Sequence, residues 1–163
     1  MDRVDEIAAQ WGRERPDLDV SALALLGRLL RVAHLADTAL GGPATSHGLR
    51  PGWFDLLAAL RRAGEPFELN PTELMRATML SSGGMTKRLD RIAEAGLVAR
   101  RPDPDDRRGT LVRLTPSGRE TIDAALESHV AAEEALLGPL DADDRARLDG
   151  LLRELLAGLE RQS

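Results

Sequence analysis

Cysteine is absent from the 163 residues, which excludes disulfides and thiolate metal sites. Aromatic residues are scarce, with two tryptophans, two phenylalanines and no tyrosine, so aliphatic packing between helices must build the core. No apolar run approaches the roughly 18 residues that a membrane span requires. The N-terminal stretch "MDRVDEIAAQWGRERPD" is charged and has no apolar segment of the kind that opens a signal peptide. These absences point to a cytoplasmic chain with no membrane partner. Alanine, leucine, arginine and glutamate are abundant instead, and all four favour helix. The length suits one domain, or one domain with dimerising arms.

A formal net charge of -5 argues against a polyanionic partner for the molecule as a whole. Its distribution argues otherwise. Between Arg76 and Arg119 ten lysines and arginines stand against five acids, while the remainder carries twelve against twenty-two. A basic centre between acidic flanks is the pattern of a local anion-binding surface on an acidic scaffold.

Apolar periodicity predicts a mainly α chain. Val4, Ile7, Ala8 and Trp11 mark a short first helix before Pro16. A second helix, capped by Asp19 or Ser21, runs through Leu23, Leu26, Leu29, Leu30 and Ala33 and is expected to stop at "LGGPATSHG". Pro51 suits the first turn of a third, whose buried positions are Trp53, Leu56, Leu57 and Leu60. "NPTE" is a helix start with a capping box from Asn70 and Glu73 and with Pro71 in the first position. That helix must be short, because "TMLSS" breaks the pattern, and Ser81 or Ser82 is expected to cap the next. A short helix, a turn and a longer helix make a helix-turn-helix.

Beyond Gly96 the period changes. "LVARR" and "GTLVRLT" read as two short strands around a turn rich in Pro and Asp, so a hairpin wing follows the second helix of the pair. "TPSGRE" then opens a long helix, and a final one carries six leucines over twelve residues, from Leu148 to Leu159. That is more apolar surface than one short helix needs within a small domain, and a two-fold partner would bury it. The expected division is 1–48 for the N-terminal helices, 49–115 for a winged helix-turn-helix with a two-stranded β wing, and 116–163 for C-terminal dimerisation helices.

At about 100° per residue, Met85, Leu89 and Ile92 fall on one side of the second helix of the pair. Gly83, Lys87, Asp90 and Glu94 fall opposite, with Arg91 beside them, so the exposed face of the N-terminal half is small or cationic. Bare backbone at Ser81, Ser82, Gly83 and Gly84, at the positive end of the helix dipole, suits a phosphate. Thr86, Lys87, Arg88 and Arg91 follow as candidate contacts to base edges or backbone in a DNA major groove. Arg107 and Arg108, near the hairpin tip, can enter a minor groove. Asp106 is placed to orient Arg108.

The stretch from Leu69 to Arg119, and "DDRRGTLVRLT" within it, resembles the MarR family of bacterial winged-helix transcriptional regulators, with Asp106-x-Arg108 matching its Asp-x-Arg wing element. The resemblance implies a homodimer on a pseudo-palindromic operator in double-stranded DNA. It further implies a repressor relieved by a small anionic or phenolic ligand. The extra N-terminal helix with Trp11 is similar to the urate-responsive subgroup, whose Trp, Asp and two Arg positions would here be Trp11, Asp55, Arg62 and Arg100. On that resemblance the ligand is urate or another purine, and it disturbs an Asp55–Arg100 pair that steadies the wing.

Other functions fit less well. An enzyme cradling a nucleotide phosphate on "SSGG" lacks both G-x-x-x-x-G-K-[ST] and G-x-G-x-x-G. Ser81 and Ser82 have no identifiable base, so no catalytic residue and no cofactor is assigned. A helical protein-interaction module without DNA contact is supported only by the terminal leucines. His34, His47 and His129 lack metal-ligand spacing.

Overall fold

The computed structural model describes residues 1–78, 84–104, 106 and 109–162. Packing divides the chain into two units, Met1–Gly42 and Pro43–Ser163.

In the first unit, α1 (Arg3–Glu14) begins at a reciprocal cap. Asp2 Oδ1 accepts from the backbone N–H of Val4 at 2.7 Å and of Asp5 at 2.9 Å, and Asp5 Oδ2 accepts from Asp2 N–H at 2.8 Å. Arg28, on α2 (Ser21–Ser46), donates to both carboxylates and ties that cap to the second helix. α2 ends at Ser46, within the stretch "LGGPATSHG" where it is expected to stop, although Pro43 of that stretch lies inside the helix. Proline costs a helix interior about 3 kcal/mol, a penalty that longer-range packing can absorb. Ala44, just beyond it, packs on the core of the second unit. The breaker residues still mark a boundary, because the two units part between Gly42 and Pro43.

The second unit holds the core. Here α3 (Trp53–Arg62) buries Trp53, Leu56, Leu57 and Leu60. Its N-cap is Gly52, so Pro51 precedes the helix instead of opening it. Then follow α4 (Pro71–Arg76) and α5 (Met85–Glu94), which bury Leu74 and the Met85, Leu89, Ile92 stripe. The hairpin consists of β2 (Val98–Pro102) and β3 (Thr110–Leu114), antiparallel with Arg100 opposite Val112. The wing is thus present as expected, and a third strand adds to it. β1 (Glu68–Leu69) pairs antiparallel with β3, Glu68 opposite Arg113, giving the order β1-β3-β2. Two residues are too few to show a period of two, so this strand left no signature in the sequence.

The long α6 (Pro116–Leu136) starts at Thr115, whose hydroxyl accepts from Gly118 N–H at 2.9 Å and donates to Gly96 O at 2.7 Å. It packs on α3 and closes the core with Ile122 and Ala125. α7 (Ala142–Glu160) is capped by Asp141. Arg145 anchors the turn before it, reaching Glu134 at 2.8 Å and the carbonyls of Leu137 and Leu140. No described helix is long and apolar enough to cross a membrane.

Candidate nucleic-acid interface

The helix-turn-helix is set by local caps and one apolar stripe. Asn70 Oδ1 accepts from Glu73 N–H and Glu73 Oε2 accepts from Asn70 N–H, both at 2.9 Å, with Pro71 at the first position. This is the capping box the sequence predicts. At the other end of α4, Arg62 on α3 donates to the carbonyl of Ala77, the C-cap residue. The first helix of the pair is therefore held at both ends.

In α5, Met85, Leu89 and Ile92 are at most 5% exposed, whereas Thr86, Lys87 and Arg91 face solvent. The buried stripe thus turns a cationic side outward. The helix begins later than expected. Gly84 is its N-cap, in the left-handed region at φ 81° and with no side-chain cap bond, so Gly84 stands before the first turn. Ser81 and Ser82, expected as caps, and Gly83 lie outside the described residues.

Arg88 takes a different place from Lys87 and Arg91. It is half-buried and its guanidinium lies against Gly52; a Cβ there would sit 3.0 Å from Arg88 Nε. Its Nη1 is buried and makes no hydrogen bond among the described residues. Beside it is a hollow of about 390 Å³ lined by Arg50, Pro51, Trp53, Gly84, Lys87, Arg88 and Arg91. The Arg50 guanidinium rests 5.5 Å from the Trp53 ring centroid, a cation–π contact. Arg50 was missed in the sequence reading. It lies outside the basic centre, and nothing in "RPGW" distinguishes it from a loop arginine.

The wing is fastened on both sides. Arg100 on β2 pairs with Asp90 on α5 at 2.7 Å, which corrects the expected Asp55–Arg100 pair. β2 packs beside α5, so the carboxylate on that helix is the one within reach. Across the sheet, Arg101 Nε donates to Glu68 Oε2 at 3.0 Å, bridging the outer strands. The Arg101 hydrogen bond is the main reason the Glu68 carboxyl is held below the usual range, and nearby Arg113 adds to it. At the hairpin end, Asp103 N–H donates to Gly109 O at 3.0 Å and Gly109 N–H to Asp106 O at 2.8 Å. Arg107 and Arg108 lie outside the described residues; Asp106 is exposed.

Of the four expected ligand residues, Asp55 and Arg62 are exposed in the first and last turns of α3, and Arg100 is the partner of Asp90. Trp11 belongs to the other unit and is 45% exposed on α1. Two of the histidines make side-chain contacts, although the Nδ1 of His129 is buried with no hydrogen-bond partner among the described residues. His47 Nε2 is 2.9 Å from Ser128 Oγ, and His129 stacks on Phe54 with ring centroids 4.3 Å apart. No group of three metal-ligating side chains exists among the described residues.

The MarR family profile matches residues 47–109, the span of this helix-turn-helix and much of its wing. Over 149 residues the chain is 38% identical to the HTH-type transcriptional regulator PecS of Dickeya dadantii, covering 91% of this chain and 90% of that protein. A crystal structure of a mutant MarR from E. coli complexed with operator DNA superposes with a TM-score of 0.72 at 29% identity, covering 84% of this chain and 97% of that one. A structure of Bordetella bronchiseptica BpsR, whose DNA binding is regulated by 6-hydroxynicotinic acid, superposes with a TM-score of 0.69 at 26% identity, covering 80% and 98%.

Proposed function

The chain belongs to the MarR family of DNA-binding transcriptional regulators, which are not enzymes, and from that premise we propose that it is a homodimeric repressor of a pseudo-palindromic operator, released by a small anionic ligand. The observation that carries this is the cationic outer side of α5, with Thr86, Lys87 and Arg91 exposed over a fully apolar seam. Such a helix enters a major groove with its cations toward bases and phosphates. Ser81 to Gly84 meet the DNA backbone, and Arg107 and Arg108 reach the minor groove, with Asp106 orienting Arg108.

The dimer follows from surface that one copy leaves uncovered. Leu148, Leu151, Leu152, Leu155, Leu156 and Leu159 of α7 are 40–65% exposed. Exposed apolar surface of that continuity marks an association face. A two-fold pairing of identical copies would cover it and set two α5 helices about one DNA turn apart, roughly 34 Å. In this division of labour residues 49–115 read DNA while 1–48 and 116–163 pair the copies. Repression is then occlusion: a dimer on its operator blocks access to the overlapping promoter. Work on genomic duplexes puts the protein in the cytoplasm.

The ligand we assign is urate or a related purine anion, bound through Asp55, Arg62 and Arg100 of the second unit. Arg62 holds the C-terminal carbonyl of α4 and Arg100 holds α5 through Asp90. An anion that draws either guanidinium away loosens the helix-turn-helix, and both arginines suit a planar, delocalised anion. BpsR, regulated by a nitrogen-containing aromatic acid, lends this chemistry support.

Selection from a random duplex library, with and without urate or xanthine, tests the whole reading. A palindromic consensus is expected, with affinity falling about 5- to 150-fold in saturating ligand. Absence of any enriched duplex would sink the operator assignment, and unchanged affinity would sink the ligand.

A further inference from the structure

The hollow beside α5 is assembled in an unusual way for a protein surface. Arg50, Lys87, Arg88 and Arg91 line one cavity of about 390 Å³ together with Trp53, and none of its lining residues is acidic. Like charges gathered without a counter-ion repel one another. Asp90, on the same helix, is already held by Arg100. Within this group Arg88 has a buried Nη1 with no hydrogen-bond partner among the described residues. A buried charged donor without an acceptor is costly enough that folded proteins rarely leave one. Both features are relieved by the same object, an oxyanion seated in the hollow.

We infer that this hollow is a seat for one phosphodiester of the DNA backbone, in which Arg88 is the inner clamp and Arg50 the outer one. The inference rests on the DNA-binding reading above and deepens it. It commits Arg88, expected to meet base edges or backbone, to the backbone, and it adds Arg50, which lies before α3 and outside the two helices of the helix-turn-helix. A guanidinium presents a flat fork of donors that matches two phosphate oxygens. Stacking on Trp53 holds the Arg50 fork at the rim. Gly52 makes the inner position available, since any Cβ there would press on Arg88 Nε. Lys87 and Arg91 open the hollow onto the exposed side of α5, so a strand flanking that helix passes directly over it.

The experiment titrates the full-length protein onto its selected operator and onto an unrelated duplex, across roughly 50 to 200 mM salt. Arg50→Ala and Arg88→Gln are each expected to weaken both duplexes alike, on the order of tenfold, and to lower the slope of log affinity against log salt by about one. Gly52→Ala should do the same with every cation retained. If Arg88→Gln does not fold, Arg50→Ala carries the test, because Arg50 is exposed. Parent-like affinity and slope in Arg50→Ala would overturn the seat while leaving the regulator reading intact. A loss in Arg88→Gln confined to the operator, with altered base preference, would show Arg88 to be a base reader and overturn it too.

A parallel arm melts the DNA-free protein in inorganic phosphate and in chloride at equal ionic strength. Stabilisation by phosphate that Arg50→Ala abolishes is expected. The same stabilisation alongside unchanged duplex slopes would assign the hollow to a free anion and overturn the backbone assignment. A parent protein that ignores duplexes at low salt would overturn the regulator reading, and the seat with it.

Discussion

Asp90 on α5 and Arg100 on β2 are paired at 2.7 Å, so the second helix of the helix-turn-helix and the wing are joined by an ion pair. Because α5 and β2 are separated in sequence only by the turn at Gly96, the pair fixes the angle between them more than it adds stability. Both side chains are more than a third exposed, and exposed pairs contribute about 0–1 kcal/mol.

Asp90→Asn should therefore separate function from stability. Thermal unfolding is expected to shift by no more than about 2–4 °C. Operator affinity should fall by a larger factor than the change in stability accounts for. Fluorescence anisotropy on the operator, beside a melting curve, measures both. A parent-like affinity would show that the wing keeps its angle without the pair.

Among the described glycines, Gly118 leaves the least room for a side chain. A Cβ on it would overlap the carbonyl oxygen and carbon of Leu97 and press on its Cα, all backbone atoms. Those atoms belong to the turn into β2 and cannot rotate aside as a side chain could. Gly118→Ala is expected to cost about 3 kcal/mol or more through overpacking. Urea unfolding of the variant against the parent checks it; a change below about 1 kcal/mol would mean the start of α6 slides freely.

Acid should loosen the sheet through Glu68. Arg101 holds its carboxyl below the ordinary glutamate value of 4.5. A carboxyl lowered in the folded state stabilises the fold above its unfolded value, and that contribution disappears as pH falls through the folded one. The parent should thus lose stability beginning near pH 4.5 and continuing below it. Glu68→Gln should be less stable than the parent at neutral pH and show a shallower acid limb. Asp2 and Asp17, held low by Arg28 and Arg15, act with the same sign and remain in the variant. Melting curves between about pH 3 and 7 decide it, and parallel limbs would assign the acid sensitivity elsewhere.

The terminal helix gives a test of assembly. Leu151 and Leu156 are 65% and 57% exposed on α7, and charges there should cost the isolated chain little. Leu151→Glu with Leu156→Glu is expected to yield folded monomers by sedimentation, with operator affinity lowered by about a hundredfold or more as the second half-site is lost. Dimers that persist in this variant would place the pairing surface away from α7.

Features that depend on near neighbours were legible in the residues alone. The Asn70–Glu73 capping box, the long helix opened by "TPSGRE", the Met85–Leu89–Ile92 stripe and the two wing strands each follow from groups within a few positions of one another. Their geometry is dictated by backbone hydrogen bonding and by periods of 3.6 and 2. The basic centre and the Asp-x-Arg element were equally readable, and they led to the right family. Long-range partnerships were decided only in the folded chain. Pairing of β1 with β3, the passage of α2 through Pro43, the choice of Asp90 by Arg100, and the meeting of Arg50, Gly52 and Arg88 all join groups whose neighbourhood is created by packing. An arginine does not announce its partner; the core beneath it determines which carboxylate, carbonyl or empty hollow comes within reach.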